Sequence, residues 1–303
     1  MSDAQSQIGI PAGDYSHSVP LLTAGQGAAL LPKVVALARE AGEAIMVVYR
    51  SGEAGVSSKA DDSPLTLADM ASHQTIVAGL KKLAPGVPIL SEEAADIPYI
   101  ERKQWSRYWL VDPLDGTKEF IKRNGEFTVN IALIDNGMPI MGVVYAPVLD
   151  VCYYAEKGAG AFMQRVNNAA QQIRVRLHRT GQTIKVVASR SHSDARTAAL
   201  LDKLGDHESV SMGSSLKFCL VAEGEAHFYP RLGPTMEWDT AAAHAVVNGA
   251  GGIVCDAAGQ ELGYNKEDLH NPEFFVLPEA DEELHLLAKI PLSKPANRSE
   301  QTS

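Results

Sequence analysis

Cysteine is scarce in this chain. Cys152, Cys219 and Cys255 are the only three in 303 residues, and they lie far apart. An odd, scattered set fits no disulfide framework and no zinc spacing, so a reducing cytoplasm is the expected setting. Long apolar runs are missing too: the longest, residues 140–149, is far too short to cross a bilayer. The first residues lack a basic segment followed by an apolar one, so no secretory leader is expected. There is no surplus of positive charge, with 27 Lys and Arg against 37 Asp and Glu and a formal net charge of −10. That balance argues against a nucleic-acid polymer or an anionic membrane as partner. A small anionic substrate stays open, because bound metal ions reverse a local field. No internal repeat marks a solenoid.

What remains is an ordinary globular composition, 45% hydrophobic and 21% charged. The expectation is a cytoplasmic protein, free or resting against the inner membrane without an integral segment, as a monomer or homodimer. Residues 1–25 and 290–303 read as tails. Helical spacing of Leu30, Val34, Leu37, Ala38, Ala41, Ile45 and Val48 predicts a helix over 26–49. Thr66, with Asp69 three residues on, reads as a capping box opening a helix over 66–83. Strands are expected at 88–90, 105–111, 128–134, 139–146, 151–155, 158–166 and 173–177. Asn136-Gly137 marks a tight hairpin, so this sheet is expected to be antiparallel or mixed. Near residue 182 the rhythm becomes α/β. Strands are predicted at 184–188, 210–212, 226–229 and 253–255, and helices at 194–204, 214–222 and 240–248. The fold class is therefore α+β followed by α/β. The expected subdomains are 26–180, carrying most of the acidic site, and 181–289.

The chemistry gathers at Asp112-Pro113-Leu114-Asp115-Gly116-Thr117, which follows an apolar strand, Trp109 to Val111. Two carboxylates this close repel each other and are costly to desolvate without a cation between them, and a hard divalent ion takes oxygen ligands. Pro113 disfavours helix at Asp112, leaving both acids free to turn into one cavity. Three more acids sit at element ends: Asp69, Glu92 and Asp239. Taken singly, each has a plainer reading, as a helix cap or a solvated loop acid.

Together, Asp112 to Thr117 and Trp238-Asp239-Thr240-Ala241-Ala242 resemble the paired signature of the inositol monophosphatase superfamily of magnesium-dependent, lithium-sensitive phosphatases. Ser91-Glu92-Glu93 and Leu65 to Asp69 match two further positions in order. The resemblance covers about residues 28–280. Lys59 to Pro64, Pro88 to Glu93, Ser189 to His192 and Gly213 to Lys217 are most similar to its 3′(2′),5′-bisphosphate nucleotidases of the CysQ type.

The resemblance implies a layered α-β-α-β-α sandwich and two magnesium ions, with a weaker third. One ion would take Glu92, Asp112 and the Leu114 carbonyl; a second would take Asp112, Asp115 and Asp239; the third would involve Asp69 and Glu92. Metal-activated water would attack, with Asp69 and Thr117 as its activators and Glu92 among the catalytic residues. Gly116 and Thr117 N–H groups would hold the phosphate. His192, Ser214, Lys217 and Arg231, with Asp239, would contact a nucleotide bisphosphate. The implied reaction is removal of the 3′-phosphate of 3′-phosphoadenosine 5′-phosphate in sulfate assimilation. The same chemistry on an inositol phosphate or a sugar bisphosphate, and a non-catalytic anion-binding protein, are the alternatives. Lys118, Lys122 and Arg123 could steer an anion, but an exposed charged turn is the simpler account. His73 and His244 read as packed or surface histidines.

Overall fold

The computed structural model describes residues 24–52, 57–58, 64–165, 168–179, 181–188 and 195–288. Helix α1 (Ala24–Ser51) leads to a small antiparallel pair, β1 (Ser57–Ser58) and β2 (Pro64–Leu65), and then to α2 (Leu67–Leu83). β3 (Ile89–Ser91), a short α3 (Tyr99–Arg102), β4 (Arg107–Asp115) and a one-turn α4 (Thr117–Ile121) follow. β5 (Thr128–Asp135), β6 (Met138–Ala146), β7 (Val151–Glu156), β8 (Gly160–Arg165) and β9 (Gln171–Ile173) complete the first half. β3 to β9 form one sheet of seven strands in sequence order. β3 pairs parallel with β4, and every later neighbour is antiparallel. The β5–β6 hairpin turns on Asn136 and Gly137 with φ of 49° and 77°. Positive φ at both central residues is the turn that matches strand twist, and Asn-Gly adopts it cheaply.

The second half brings β10 (Ile184–Ala188), α5 (Ala195–Leu204), β11 (His207–Ser211), α6 (Leu216–Ala222), β12 (Tyr229–Arg231) and α7 (Glu237–Gly249). β13 (Gly252–Asp256), β14 (Phe274–Pro278) and α8 (Glu282–Ala288) end it. β10 and β11 pair parallel, and β14 lies between β12 and β13, antiparallel to both.

Strand periodicity explains the layers. On β4, Trp109 and Val111 face α1 and α2, whereas Tyr108 and Leu110 face α7. On β14, Phe274 and Val276 face α7, and Phe275 and Leu277 pack with Leu200 of α5 and Leu284 of α8. Alternate residues of a strand buried on both faces feed two different cores. The result is an α-β-α-β-α sandwich with α6 and α7 as its middle layer. The middle helix packs tightly because both surfaces are small. A Cβ on Gly142 of β6 would lie 2.1 Å from the Ala242 carbonyl oxygen of α7.

Several elements depart from the sequence reading, among them the unexpected short helices α3, α4 and α8 and the β1–β2 pair. The strand expected at 173–177 is at Gln171–Ile173, and Val175 instead donates to the Ala250 carbonyl at 3.0 Å. The strand expected at 226–229 begins at Tyr229, because the preceding residues run beside β10, where Phe228 bridges Val186. β14 was not expected. Its continuous run Phe274-Phe-Val-Leu-Pro278 has no alternation, and periodicity alone cannot assign such a run.

Candidate active site

Even-numbered residues of β4 and β5 face α7, so Asp112 and Asn130 continue an otherwise apolar face at its polar end. The register of β4 against β5 shifts between Asp112 and Asp115. Such an irregularity re-aims side chains, and here it follows Pro113, which has no N–H for a ladder bond. Asp112 Oδ1 accepts from Leu114 N–H at 3.0 Å, and the Pro113 carbonyl accepts from the Ser72 hydroxyl of α2 at 2.7 Å. Gly116 then takes a φ of 93°, and a Cβ there would lie 3.2 Å from Ser214 Cβ. That left-handed turn starts α4 at Thr117.

The capping box at Thr66 is present. Thr66 Oγ1 accepts from Ala68 N–H at 3.2 Å, and Asp69 Oδ2 takes both the Thr66 N–H and the Thr66 hydroxyl. Asp69 is fully buried, and its other oxygen, Oδ1, accepts from Thr117 Oγ1 at 3.4 Å. Asp69 is therefore both a cap and the partner of Thr117. Glu92 opens the one-turn helix Glu92–Ala94 after β3. Asp239 is the third residue of α7, not its cap residue, and accepts from Met236 N–H at 2.8 Å.

Glu92, Asp112, Asp115 and Asp239 feel one another. Burial, and then the carboxylates of Glu92, Asp115 and Asp239, hold the Asp112 carboxyl well above the usual range. Glu92 is the carboxyl that raises Asp112 most after burial. Burial and Asp115 push Asp239 up to about 8. Among the described residues the side chains are not already spaced as a finished cage of three metal ligands. The donor set is nonetheless all oxygen and anionic, and its neighbours destabilise the charged forms of Asp112 and Asp239. That chemistry fits a hard divalent cation, which displaces protons from its ligands.

Carboxyls raised in the folded protein bind protons that the unfolded chain has already released, so stability falls as pH rises from the ordinary carboxylate range to about 8. Chelator-treated protein should melt at a lower temperature at about pH 8 than at about pH 5. Magnesium should raise the melting temperature more at the higher pH. A pH-independent melting temperature without metal would contradict this coupling.

Beside the acids lies a cavity of about 380 Å³. Six of the expected residues line it: Asp115, Gly116, Ser214, Lys217, Arg231 and Asp239. Asp69, Glu92, Asp112, Leu114 and Thr117 are not on its wall. His192 lies outside the described residues, as do Lys59, Ser189 and Arg190. Lys217 sits with Nζ 5.9 Å from the centre of the Tyr229 ring, and burial lowers its pKa while Asp115 opposes the shift. Arg231 Nη2 donates to the Pro234 carbonyl at 3.0 Å, and among the described residues its buried Nε has no hydrogen-bond partner. Lys118 and Lys122 also line the cavity and are exposed. His73 bonds Ser91 at 2.9 Å, and buried His244 bonds Tyr264 and Glu261 at 2.9 and 3.0 Å, as packed histidines do.

Sequence reasoning missed the polar residues that hold these groups. Asp115 Oδ2 accepts from Ser215 N–H at 2.6 Å and Ser215 Oγ at 2.7 Å. Asn130 Nδ2 donates to Ser215 Oγ at 2.8 Å, and Thr128 bonds Ser214 at 2.8 Å. The one available signal was polarity: Thr128 and Asn130 interrupt an apolar strand on one face.

Acids at a strand end, a glycine turn and a cavity lined by both cations and carboxylates thus meet in a five-layered sandwich. Residues 29–290 match the inositol monophosphatase family, and the chain belongs to it. The chain is similar to the 3′(2′),5′-bisphosphate nucleotidase CysQ of Escherichia coli (strain K12), 56% identical over 250 residues, which cover 82% of this chain and 99% of that one. It is 36% identical over 250 residues to the protein of the same name from Haemophilus influenzae, covering 82% of this chain and 92% of that one. Among solved structures, CysQ from Bacteroides thetaiotaomicron, a bacterial member of the same family, superposes with a TM-score of 0.73 at 43% identity. That match covers 83% of this chain and 97% of the other.

Proposed function

We propose that this protein is a magnesium-dependent 3′(2′),5′-bisphosphate nucleotidase. It converts 3′-phosphoadenosine 5′-phosphate and water to AMP and phosphate, the clearance step expected beside sulfate assimilation. The reading is supported above all by 56% identity to a bisphosphate nucleotidase over nearly that enzyme's whole length. The proposed ligands are Glu92, Asp112, the Leu114 carbonyl, Asp115 and Asp239 for two ions, with Asp69 and Glu92 serving a weaker third. When bound, the ions would neutralise the phosphate and lower the barrier to in-line attack. A cytoplasmic monomer or homodimer, built of subdomains 26–180 and 181–289, completes the proposal. No described helix is long and apolar enough to cross a membrane.

The chain's own residues would work as follows. Thr117 Oγ1 donates to Asp69 Oδ1, which leaves its lone pairs to accept a proton from the attacking water. That proton passes to Oγ1 as the Thr117 proton passes to Asp69. Asp69 cannot swing away, because Thr66 holds its other oxygen twice. The water oxygen forms the new bond to phosphorus, the bond from phosphorus to the ribose 3′ oxygen breaks, and that oxygen takes a proton from solvent water to leave as a hydroxyl, while the proton on Asp69 returns to solvent. Gly116 and Thr117 N–H groups would hold the phosphate oxygens. Ser214, Lys217 and Arg231, with His192, would take the ribose and the 5′-phosphate.

Comparing turnover of 3′-phosphoadenosine 5′-phosphate with that of inositol 1-phosphate tests the substrate. The nucleotide should be hydrolysed with the higher kcat/KM. Faster turnover of the inositol ester would overturn the assignment.

A further inference from the structure

We infer that Ser215 is a positioning residue that sets one oxygen of Asp115 for metal binding and ties it to the first turn of α7. The inference rests on the phosphatase reading above. Among the described residues, every hydrogen bond to Asp115 falls on Oδ2: Ser215 N–H at 2.6 Å, Ser215 Oγ at 2.7 Å and Asn130 Nδ2 at 3.4 Å. Oδ1 is left unengaged. A carboxylate whose one oxygen takes two donors from a single residue has its plane and rotation fixed. Groups that orient a metal ligand in this way tune affinity without touching the ion.

The same hydroxyl lies 2.8 Å from the Asp239 carbonyl oxygen. A serine carries one hydroxyl hydrogen, so the two acceptors share it. Asn130, buried at the end of the apolar face of β5, donates to the hydroxyl and fixes its lone pairs. Ser215 thereby links the end of β4 to the start of α7, the two elements that carry Asp115 and Asp239.

The backbone that presents Ser215 is itself tightly held. Gly213 N–H donates to Glu126 Oε2 at 2.8 Å, and a Cβ on Gly213 would fall 2.7 Å from the Glu126 carbonyl oxygen. Ser214 has a φ of 50°, a left-handed value uncommon for a residue with a side chain. Its hydroxyl is bonded to Thr128. A strained residue kept in place by packing on both sides is how a fold aims the residue after it.

The test is Ser215→Ala, with magnesium or manganese titrated calorimetrically into chelator-stripped protein without substrate. Metal affinity should fall about 10- to 100-fold. The magnesium concentration for half-maximal phosphate release should rise by the same factor, while the nucleotide KM at saturating metal stays unchanged. Ser215→Thr, which keeps the hydroxyl, should recover most of the affinity. Wild-type metal affinity in Ser215→Ala would overturn the role. So would a raised nucleotide KM at unchanged metal affinity, which would make the hydroxyl a substrate contact. Loss of folding in metal-free Ser215→Ala would also overturn it, by making the hydroxyl a purely structural tie. Failure of the wild type to take up metal would instead overturn the phosphatase reading beneath it.

Discussion

Asp115→Asn should reduce phosphate release by about a thousandfold or more, equivalent to about 4 kcal/mol of lost transition-state stabilisation, in a protein that still folds. The fold survives because Asp115 Oδ2 is an acceptor for the Ser215 N–H and hydroxyl, and an asparagine places its amide oxygen there equally well. The amide NH₂ then occupies the place of Oδ1, where it donates and cannot ligate a cation. Removing one negative charge also relieves Asp112 and Asp239, whose carboxyls are both raised in part by Asp115. The metal-free variant should therefore melt at or above the wild-type temperature, and its magnesium-induced rise should shrink. Kinetics and melting curves on the same preparations check both halves. Retained turnover would mean that Asp115 is not a ligand.

Asp69→Asn and Thr117→Val should each lower kcat by about 10²- to 10⁴-fold, the usual worth of a positioned proton acceptor. Thr117→Val keeps the N–H proposed to hold the phosphate, and Asp69 does not line the cavity, so nucleotide KM should change little. Thr117 Oγ1 reaches Asp69 Oδ1 at 3.4 Å, and the capping box pins that carboxylate through its other oxygen. An asparagine keeps the oxygen facing Thr66 and loses the proton acceptor facing Thr117, together with the charge proposed to serve the weaker third ion. If the two residues move one proton as a unit, the double variant should be no worse than the poorer single one. Additive losses would separate their roles.

Much of this architecture is legible in the sequence because each signal rests on local chemistry. The Thr66 to Asp69 spacing specifies a capping box that also fixes a proposed base. Asn136-Gly137 specifies its hairpin by backbone conformation alone. The alanines of α7 promise a close approach, and Gly142 shows how close. The acids stand out because a carboxylate pair fused to a buried strand has no cheap structural use.

The missing parts depend on distance along the chain. Ser215 reaches Asp115 from a hundred residues away, and nothing local distinguishes its hydroxyl from that of any loop serine. Asn130 and Thr128 matter only through the register that sets them opposite Asp112 and Asp115. β14 is a bare apolar run whose partners, β12 and β13, are separated from each other in sequence by α7. Lys118 and Lys122 read as a charged turn and also border the cavity, since exposure and proximity to a site are compatible.

The central claim is tested most directly by titrating magnesium into chelator-stripped protein with 3′-phosphoadenosine 5′-phosphate, while following phosphate release and separating the nucleotide products. The account predicts no release without metal, release that rises and saturates with magnesium, and AMP as the sole nucleotide product. Absence of release at every magnesium concentration, or adenosine 3′-phosphate as the product, would contradict it.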